Sequence, residues 1–395
     1  MKKRIVILGG GTGGTLVANR LRRALSPQDA EIVVVDLDDE HVYQPGLLFA
    51  PFGPFTVHTR RRLVHARHGA LHPGIEFRKA LIDHVDLDRN RVLLDNCVWL
   101  DYDVLVVATG ARPVPERTEG LSADGAAERV HGFYTLRAAE RLSRALREFA
   151  GGRLVVDVAA MPIKGPVAPL EFCFLADEYF RHRKLREKVE LTFVTPLDGA
   201  FAKPVLSRTL EGLLRDKGIE LVTGFAAGEV DGGGEGPGRL VARDGREVPF
   251  DLAVVVPQHA GAAYVQRSGD LGDELGFVRV DPETLRSLAK PDVFALGDAT
   301  DVPTAKTASV AQSEGEVVAA NVGAHLAGRE LPARFDGHAN FLVDAGSGPA
   351  SPPGHLEKLA ARRLYWHEML AGRRTAGIDV GALPHTAPSG QDLRP

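Results

Sequence analysis

The chain has 395 residues, 48 basic and 52 acidic side chains, a net charge of −4 and two cysteines, Cys97 and Cys173. Such a length exceeds one ordinary core and suits two domains plus an appendage, while the near-neutral balance offers no global field for nucleic acid or an anionic surface. Two cysteines fit a reducing compartment and exclude a disulfide framework or a cysteine-rich cluster, and no apolar run approaches the roughly 18 residues of a membrane span.

The opening MKKRIVILGGG looks basic and then apolar, but its apolar run is short and dissolves into glycines without an A-x-A site. It reads as a strand of a cytoplasmic protein, not as a leader. Residues 4–8 run directly into Gly9-Gly10-Gly11-Thr12-Gly13-Gly14, ahead of a helical pattern through Leu16, Leu21 and Leu25. This is G-x-G-x-x-G between strand and helix: Gly9 permits the tight turn, Gly11 the approach of a pyrophosphate, and Gly14 close helix–strand packing. With Thr12, these glycines form the expected cofactor-binding turn, and the helix N-terminus faces the phosphates with its partial positive charge. The strand EIVVVD closes on Asp36, about 20 residues further on, where a carboxylate accepts from ribose hydroxyls. The motif does not by itself separate FAD from NAD, and similar turns occur without any ligand.

Further along, His65-Ala66-Arg67-His68 reads as a solvated loop, and the scattered histidines give no metal site. Cys97 is expected on a strand of a β-meander. Residues 104–108 form another buried strand, ending in Thr109-Gly110-Ala111-Arg112-Pro113. The pattern then repeats: strand GRLVVDVAA, turn, helix PLEFCFLADEYFRHR and strand KVELTFVTP match the first strand–turn–helix–strand. The repeated turn has lost its phosphate chemistry. It holds one glycine, Gly165, among Pro162, Pro166 and Pro169, and proline has no N–H for a phosphate. The following strand ends in Thr195-Pro196, with no carboxylate for a ribose and no arginine for a 2′-phosphate. Nicotinamide binding is therefore expected to be absent from this half. Cys173, in the apolar EFCFL run, reads as a buried inert thiol. Residues 231–238 form a turn between strands; residues 293–296 form a strand ending in Gly297-Asp298-Ala299. A helix follows with Thr307 or Ser309 as cap, preceded by Lys306.

The ordered set of glycine turn, ATG segment and late GD resembles the flavoproteins with two dinucleotide-binding domains. There the cofactor is FAD, which implies that Thr109, Gly110 and Arg112 close over it, and that Gly297 and Asp298 meet the flavin chain. A closer resemblance is carried by VYQPGLLFAPFG at 42–53, MPIKGPVAPLEF at 161–172, residues 304–321, FDGHANFLVDAG and LYWHEMLAGR. These look like sulfide:quinone oxidoreductases and flavocytochrome c sulfide dehydrogenases, from residue 1 to about 374. Family members oxidise sulfide at a cysteine pair beside FAD and pass electrons to quinone. Here the matching positions are Gly165 and Phe341, so neither thiol is present, and a thiolate is the nucleophile that this chemistry needs.

The resemblance implies an α/β fold of two Rossmann-like domains, the second inserted in the first, with a short C-terminal helical segment. The expected divisions are an FAD domain from residues 1–115 and 286–330, a second domain at 116–285 that does not bind NAD(P), a C-terminal segment at 331–374 and a disordered tail at 375–395. The expected function is an FAD-dependent oxidoreductase moving electrons from a small-molecule donor to quinone or another acceptor. The alternatives are an NAD(P)H:quinone or NAD(P)H:acceptor reductase and a non-catalytic flavin-binding protein. Candidate reacting neighbours are Lys164, Gly165, Tyr43 and Lys306, the last also beside the flavin edge; a solvent-facing Lys164, a solvated Lys306 and a merely packing Tyr43 remain open. Residues 355–374 place Leu356, Leu359, Trp366 and Leu370 on one helical face, which in the family helps seat the protein beside the membrane quinone. Arg363 and His367 interrupt that arc, so peripheral membrane contact stands beside docking on the chain's own domain or on a homo-oligomeric partner.

Overall fold

The computed structural model describes residues 2–122, 128–234, 236–339 and 343. In chain order the elements that position the site are β1 (Lys3–Leu8), α1 (Thr12–Ala24), β2 (Ala30–Asp36), β3 (Glu76–Lys79), β4 (Val104–Val107), β5 (Arg112–Pro113) and β6 (Val130–His131). They continue with α2 (Leu136–Glu148), β7 (Gly152–Val158), α3 (Ala168–His182), β8 (Val189–Val194), α4 (Pro204–Asp216), β9 (Glu220–Val222), β10 (Leu252–Val256), β11 (His259–Ala260), β12 (Val293–Ala295) and α5 (Ala308–Leu326).

Two parallel five-stranded sheets result, in the orders β12-β4-β1-β2-β3 and β6-β10-β7-β8-β9. The reason is visible in the strands themselves. Ile5, Val6, Ile7 and Leu8 of β1, all of β4 and all of β10 are buried, a continuous apolar run that suits a parallel sheet covered on both faces. The fold is thus α/β with two Rossmann-like units, as the repeat implied.

Three features tie the units together. β5 pairs antiparallel with β11, Arg112 opposite Ala260 and Pro113 opposite His259. The YQPG segment forms two short 3-10 turns, Gln44–Leu47 and Ala50–Phe52, after which the chain divides its apolar residues. Tyr43 and Leu47 join the core of the first sheet, whereas Leu48, Phe49 and Phe52 enter the core of the second. Phe52 packs on Phe172 of α3 with centroids 4.8 Å apart, and Ser143 of α2 donates to Gly53 O at 2.7 Å.

Two local expectations change. Cys97 is not on a strand: it sits at φ +61° in the turn between Arg91–Leu94 and Trp99–Asp101, exposed, with its N–H donating to Leu94 O. The preceding Asp95-Asn96 is a turn sequence that outweighs the apolar Cys-Val-Trp. Residues 65–68 are not a solvated loop either. His65 and Ala66 pair in a strand with Glu40–Val42, and Arg67 is buried. Phe341, residues 355–374 and the tail at 375–395 lie outside the described residues. Among the described residues no helix is long and apolar enough to cross a membrane, and no cluster of three or more metal-ligating side chains occurs.

Candidate functional site

The first part of the site is the turn from β1 into α1. Gly9 is at φ +95°, and a Cβ there would lie 2.5 Å from Ala108 O; at Gly14 it would lie 1.8 Å from Gly9 O. Gly11 has open space where its side chain would be. α1 starts from Gly11 with no side-chain cap, so its first turn begins beside that open space. This turn makes a cradle closed to any larger residue at two of its three motif glycines, Gly9 and Gly14.

Asp36 closes the cradle from β2. Its Oδ2 accepts from Gly10 N–H at 2.6 Å and Oδ1 from Leu37 N–H at 2.7 Å. Burial pushes its carboxyl above the usual range, opposed by Arg67 and these two amides. Arg67 is the residue that sequence reasoning missed. Its Nη1 is 3.1 Å from Asp36 Oδ2, its Nη2 donates to Glu40 O at 2.7 Å, and its Nε donates to Asp38 O at 3.1 Å. It also explains Gly10, where a Cβ would stand 2.6 Å from Arg67 Cδ. No local pattern marks an arginine 31 residues from its carboxylate; the contact exists only once β2 and the Val64–Ala66 strand are in place.

The second part lies where the two units meet. The loop 161–167 is tied down at several of its polar atoms. Lys164 N–H donates to His259 Nδ1 at 2.9 Å, Gly165 N–H to Lys306 O at 2.7 Å and Ala168 N–H to Gly165 O at 2.8 Å. Pro162 O accepts from His259 N–H, Met161 O from Gln258 Nε2, and Gly165 O from Tyr134 at 3.4 Å. Gly165 is at φ +55°, and a Cβ there would touch only Ala168 Cβ at 3.7 Å. There is room for a side chain, but on a left-handed backbone that any L residue adopts at a cost.

Lys164 does not face solvent. It is buried, its Nζ donates to Ala111 O at 3.0 Å, and burial lowers its ammonium pKa against the support of Asp298. Lys306 is half-buried, with Nζ donating to Thr300 O at 2.7 Å and standing 4.2 Å from the Phe277 ring centre. Burial lowers it as well, while Asp298 and Glu314 raise it. Asp298, half-buried after β12, is pushed up by burial and drawn back by the two lysines. His259 is fully buried against Tyr134, ring centres 4.7 Å apart; burial and then Lys164 hold its pKa near 3. Since Nδ1 accepts from Lys164, the ring proton is on Nε2, which has no partner. Lys164, Gly165, Lys306 and Asp298 therefore come together, joined by Tyr134, His259 and Glu314, which carried no sequence signal of a role.

Tyr43 is 3 % exposed and packs in the first-sheet core. Thr109 Oγ1 lies 3.2 Å from Tyr264 Oη, Gly110 takes φ +67°, and Arg112 is exposed and pairs with Glu116 at 3.4 Å. Thr307 caps α5, accepting from Val310 N–H. Cys173 is fully buried with Sγ on Pro169 O, its thiol pushed up by burial.

At the carboxyl ends of β7 and β10, where the second sheet's strand order reverses, lies an open cavity of about 670 Å³. Ala159, Ala160, Met161, Gln258, Arg117 and Arg243 are among its lining.

Comparison with known proteins agrees with this fold. Residues 3–315 match the family model of pyridine nucleotide-disulphide oxidoreductases. The mitochondrial sulfide:quinone oxidoreductase of Dictyostelium discoideum is 26 % identical over 394 residues, covering 94 % of this chain and 86 % of that protein. That of Schizosaccharomyces pombe is 27 % identical over 406 residues, covering 92 % and 86 %. The crystal structure of the sulfide:quinone oxidoreductase from Aquifex aeolicus superposes with a TM-score of 0.74 at 20 % identity, covering 94 % of this chain and 92 % of that one.

Proposed function

The chain belongs to the pyridine nucleotide-disulphide oxidoreductase family as a sulfide:quinone oxidoreductase-like member with no cysteine pair, and from that premise we propose that it is an FAD-dependent oxidoreductase that passes electrons from a small donor to a quinone or similar acceptor without a thiol relay. The observation that carries this reading is the contrast between a Gly9–Gly11–Gly14 turn open at Gly11 and a 161–167 loop whose Lys164 and Gly165 amides are held by His259 and Lys306. Bound FAD would supply the two-electron relay. Gly9, Gly11, Thr12 and Gly14 hold its pyrophosphate, and Asp36, oriented by Gly10 N–H and Arg67, accepts from a ribose hydroxyl through its remaining lone pairs. Thr109, Gly110 and Arg112 close the cleft. Asp298 takes the flavin chain, and Lys306 with the α5 N-terminus favours negative charge at the far end. In this reading residues 1–115 and 286–330 make the flavin domain and 116–285 the insert. Gly165 leaves the donor's approach clear where relatives would place a side chain, and the buried cation of Lys164 draws an anionic donor.

The test is an anaerobic titration of the purified yellow protein with NADH, NADPH and sulfide, followed by its flavin absorbance. Slow response to both nicotinamides is expected; rapid bleaching by either would overturn the reading of the insert. The second reading, an NAD(P)H:acceptor reductase, is favoured by the cavity beside β7 and β10, whose Arg117 and Arg243 suit an anionic ligand. Purification without stoichiometric flavin would sink both.

A further inference from the structure

Glu314 lies two turns into α5 and is fully buried. Its Oε2 accepts from the N–H of Gly297, the residue that starts the turn carrying Asp298. Its Oε1 has no hydrogen-bond partner. One helical turn away on either side are Val310, Ala311, Val317 and Val318, all buried and apolar. Holding the Gly297 amide needs only a neutral acceptor. A carboxyl placed there leaves a second oxygen in apolar surroundings, and that arrangement is tolerated when the group carries a proton.

The charged groups facing it are few. Asp298 comes from the Gly297–Ala299 turn, and Lys306, committed to Thr300 O, from the chain before α5. β12 contributes only Val293, Phe294 and Ala295. α1 packs Leu16 and Val17 against Gly315, while its Arg20 turns outward to Glu316. Burial pushes the Glu314 carboxyl up to about 7 and Asp298 adds to this, against the Gly297 amide and Lys306.

We propose that Glu314 is the proton store of this site: a carboxylate that takes one proton from solvent when two electrons enter the Asp298–Lys306 cleft and returns it when they leave. The proposal rests on the cleft being the flavin site. A hydronium O–H bond in solvent breaks as the Glu314 O–H bond forms, the reverse returns the proton to water, and the electrons pass from the small donor to the quinone-class acceptor already named. The physical cause is charge: negative charge added beside a half-protonated buried carboxyl raises its affinity for a proton. Glu314 acts through the field and is a positioning residue, not a group that touches the donor.

The test has two arms. In the full chain as purified, infrared pH titration should show a protonated-carboxyl band with a midpoint near pH 7, absent from E314Q. K306M should move that midpoint upward, because a cation that lowers it is gone. In the second arm, anaerobic reduction in weak buffer with an indicator dye should show more protons taken up per two electrons by wild type than by E314Q near pH 7. The difference should vanish below about pH 4, where the carboxyl is protonated throughout. If the band is missing, or stays put in K306M, or the two proteins take up equal numbers of protons, the proposal fails. The first arm reads Glu314 whether or not flavin is bound, so a chain without flavin would sink the proposed function and leave this arm legible; should E314Q not fold, the K306M shift decides.

Discussion

After β1 of the first sheet and β7 of the second the chain turns into a helix, with glycines at 9–14 and with prolines and tied amides at 161–168. The first turn packs tightly at Gly9 and Gly14 and leaves open space at Gly11; in the second, Lys164 N–H is held by His259 of its own unit and Gly165 N–H by Lys306 of the other. Buried acids follow the same division. Asp36 and Glu314 beside the first turn each hold a backbone N–H, whereas Asp157, at the matching end of β7, is fully buried with neither oxygen partnered. A repeated scaffold can therefore keep its strands while the polar pairing around its turns differs.

The sharpest way to break the comparison is Gly14→Ala. Its Cβ would meet Gly9 O at 1.8 Å, so the loss should exceed the ~1–3 kcal/mol of ordinary overpacking. The purified protein should lack flavin absorbance and unfold at lower urea. Arg67→Met comes next. It strands Asp36 under Gly10, and a loss of roughly 3 kcal/mol is expected, the low end for an uncompensated buried charge because Asp36 is partly exposed; urea unfolding reads it, together with weaker flavin retention.

Asp157→Val should act in the opposite direction. Burial raises this carboxyl well above its ordinary value, so the native chain binds a proton that the unfolded chain has released. Stability is then greatest below about pH 4 and is lost as pH rises toward the folded pKa. The variant should match wild type near pH 4 and exceed it by ~1–3 kcal/mol at pH 8 in urea unfolding. An unstable variant would mean that the acid serves the second sheet after all. The smallest effect is expected for Gly165→Ala, where space is open and only the left-handed backbone resists: about 1 kcal/mol, with flavin content unchanged.

Much of this was legible beforehand. KRIVIL and GRLVVDV read as buried parallel strands because their apolar runs are continuous, and the glycine spacing marked the turn because Gly9 and Gly14 each answer a local clash while Gly11 leaves open space. Other features were hidden because they depend on distant partners. Arg67 looks solvated among histidines until Asp36 arrives beneath it. Lys164 looks like a surface lysine until Ala111 O and His259 close around it. Glu314 stands in SEGE, a polar stretch by composition, and is buried only because Gly315 lets Leu16 of α1 come close.

The split of residues 43–52 between two cores bears on how the chain is made. Leu48, Phe49 and Phe52 leave the ribosome early but rest on Phe172 and its neighbours, and β12, the edge of the first sheet, follows only at residue 293. The N-terminal unit thus cannot finish packing until the inserted one has emerged and folded. A stalled or truncated product ending before residue 293 would expose apolar surface from both units, which makes the order of synthesis a source of aggregation for this topology.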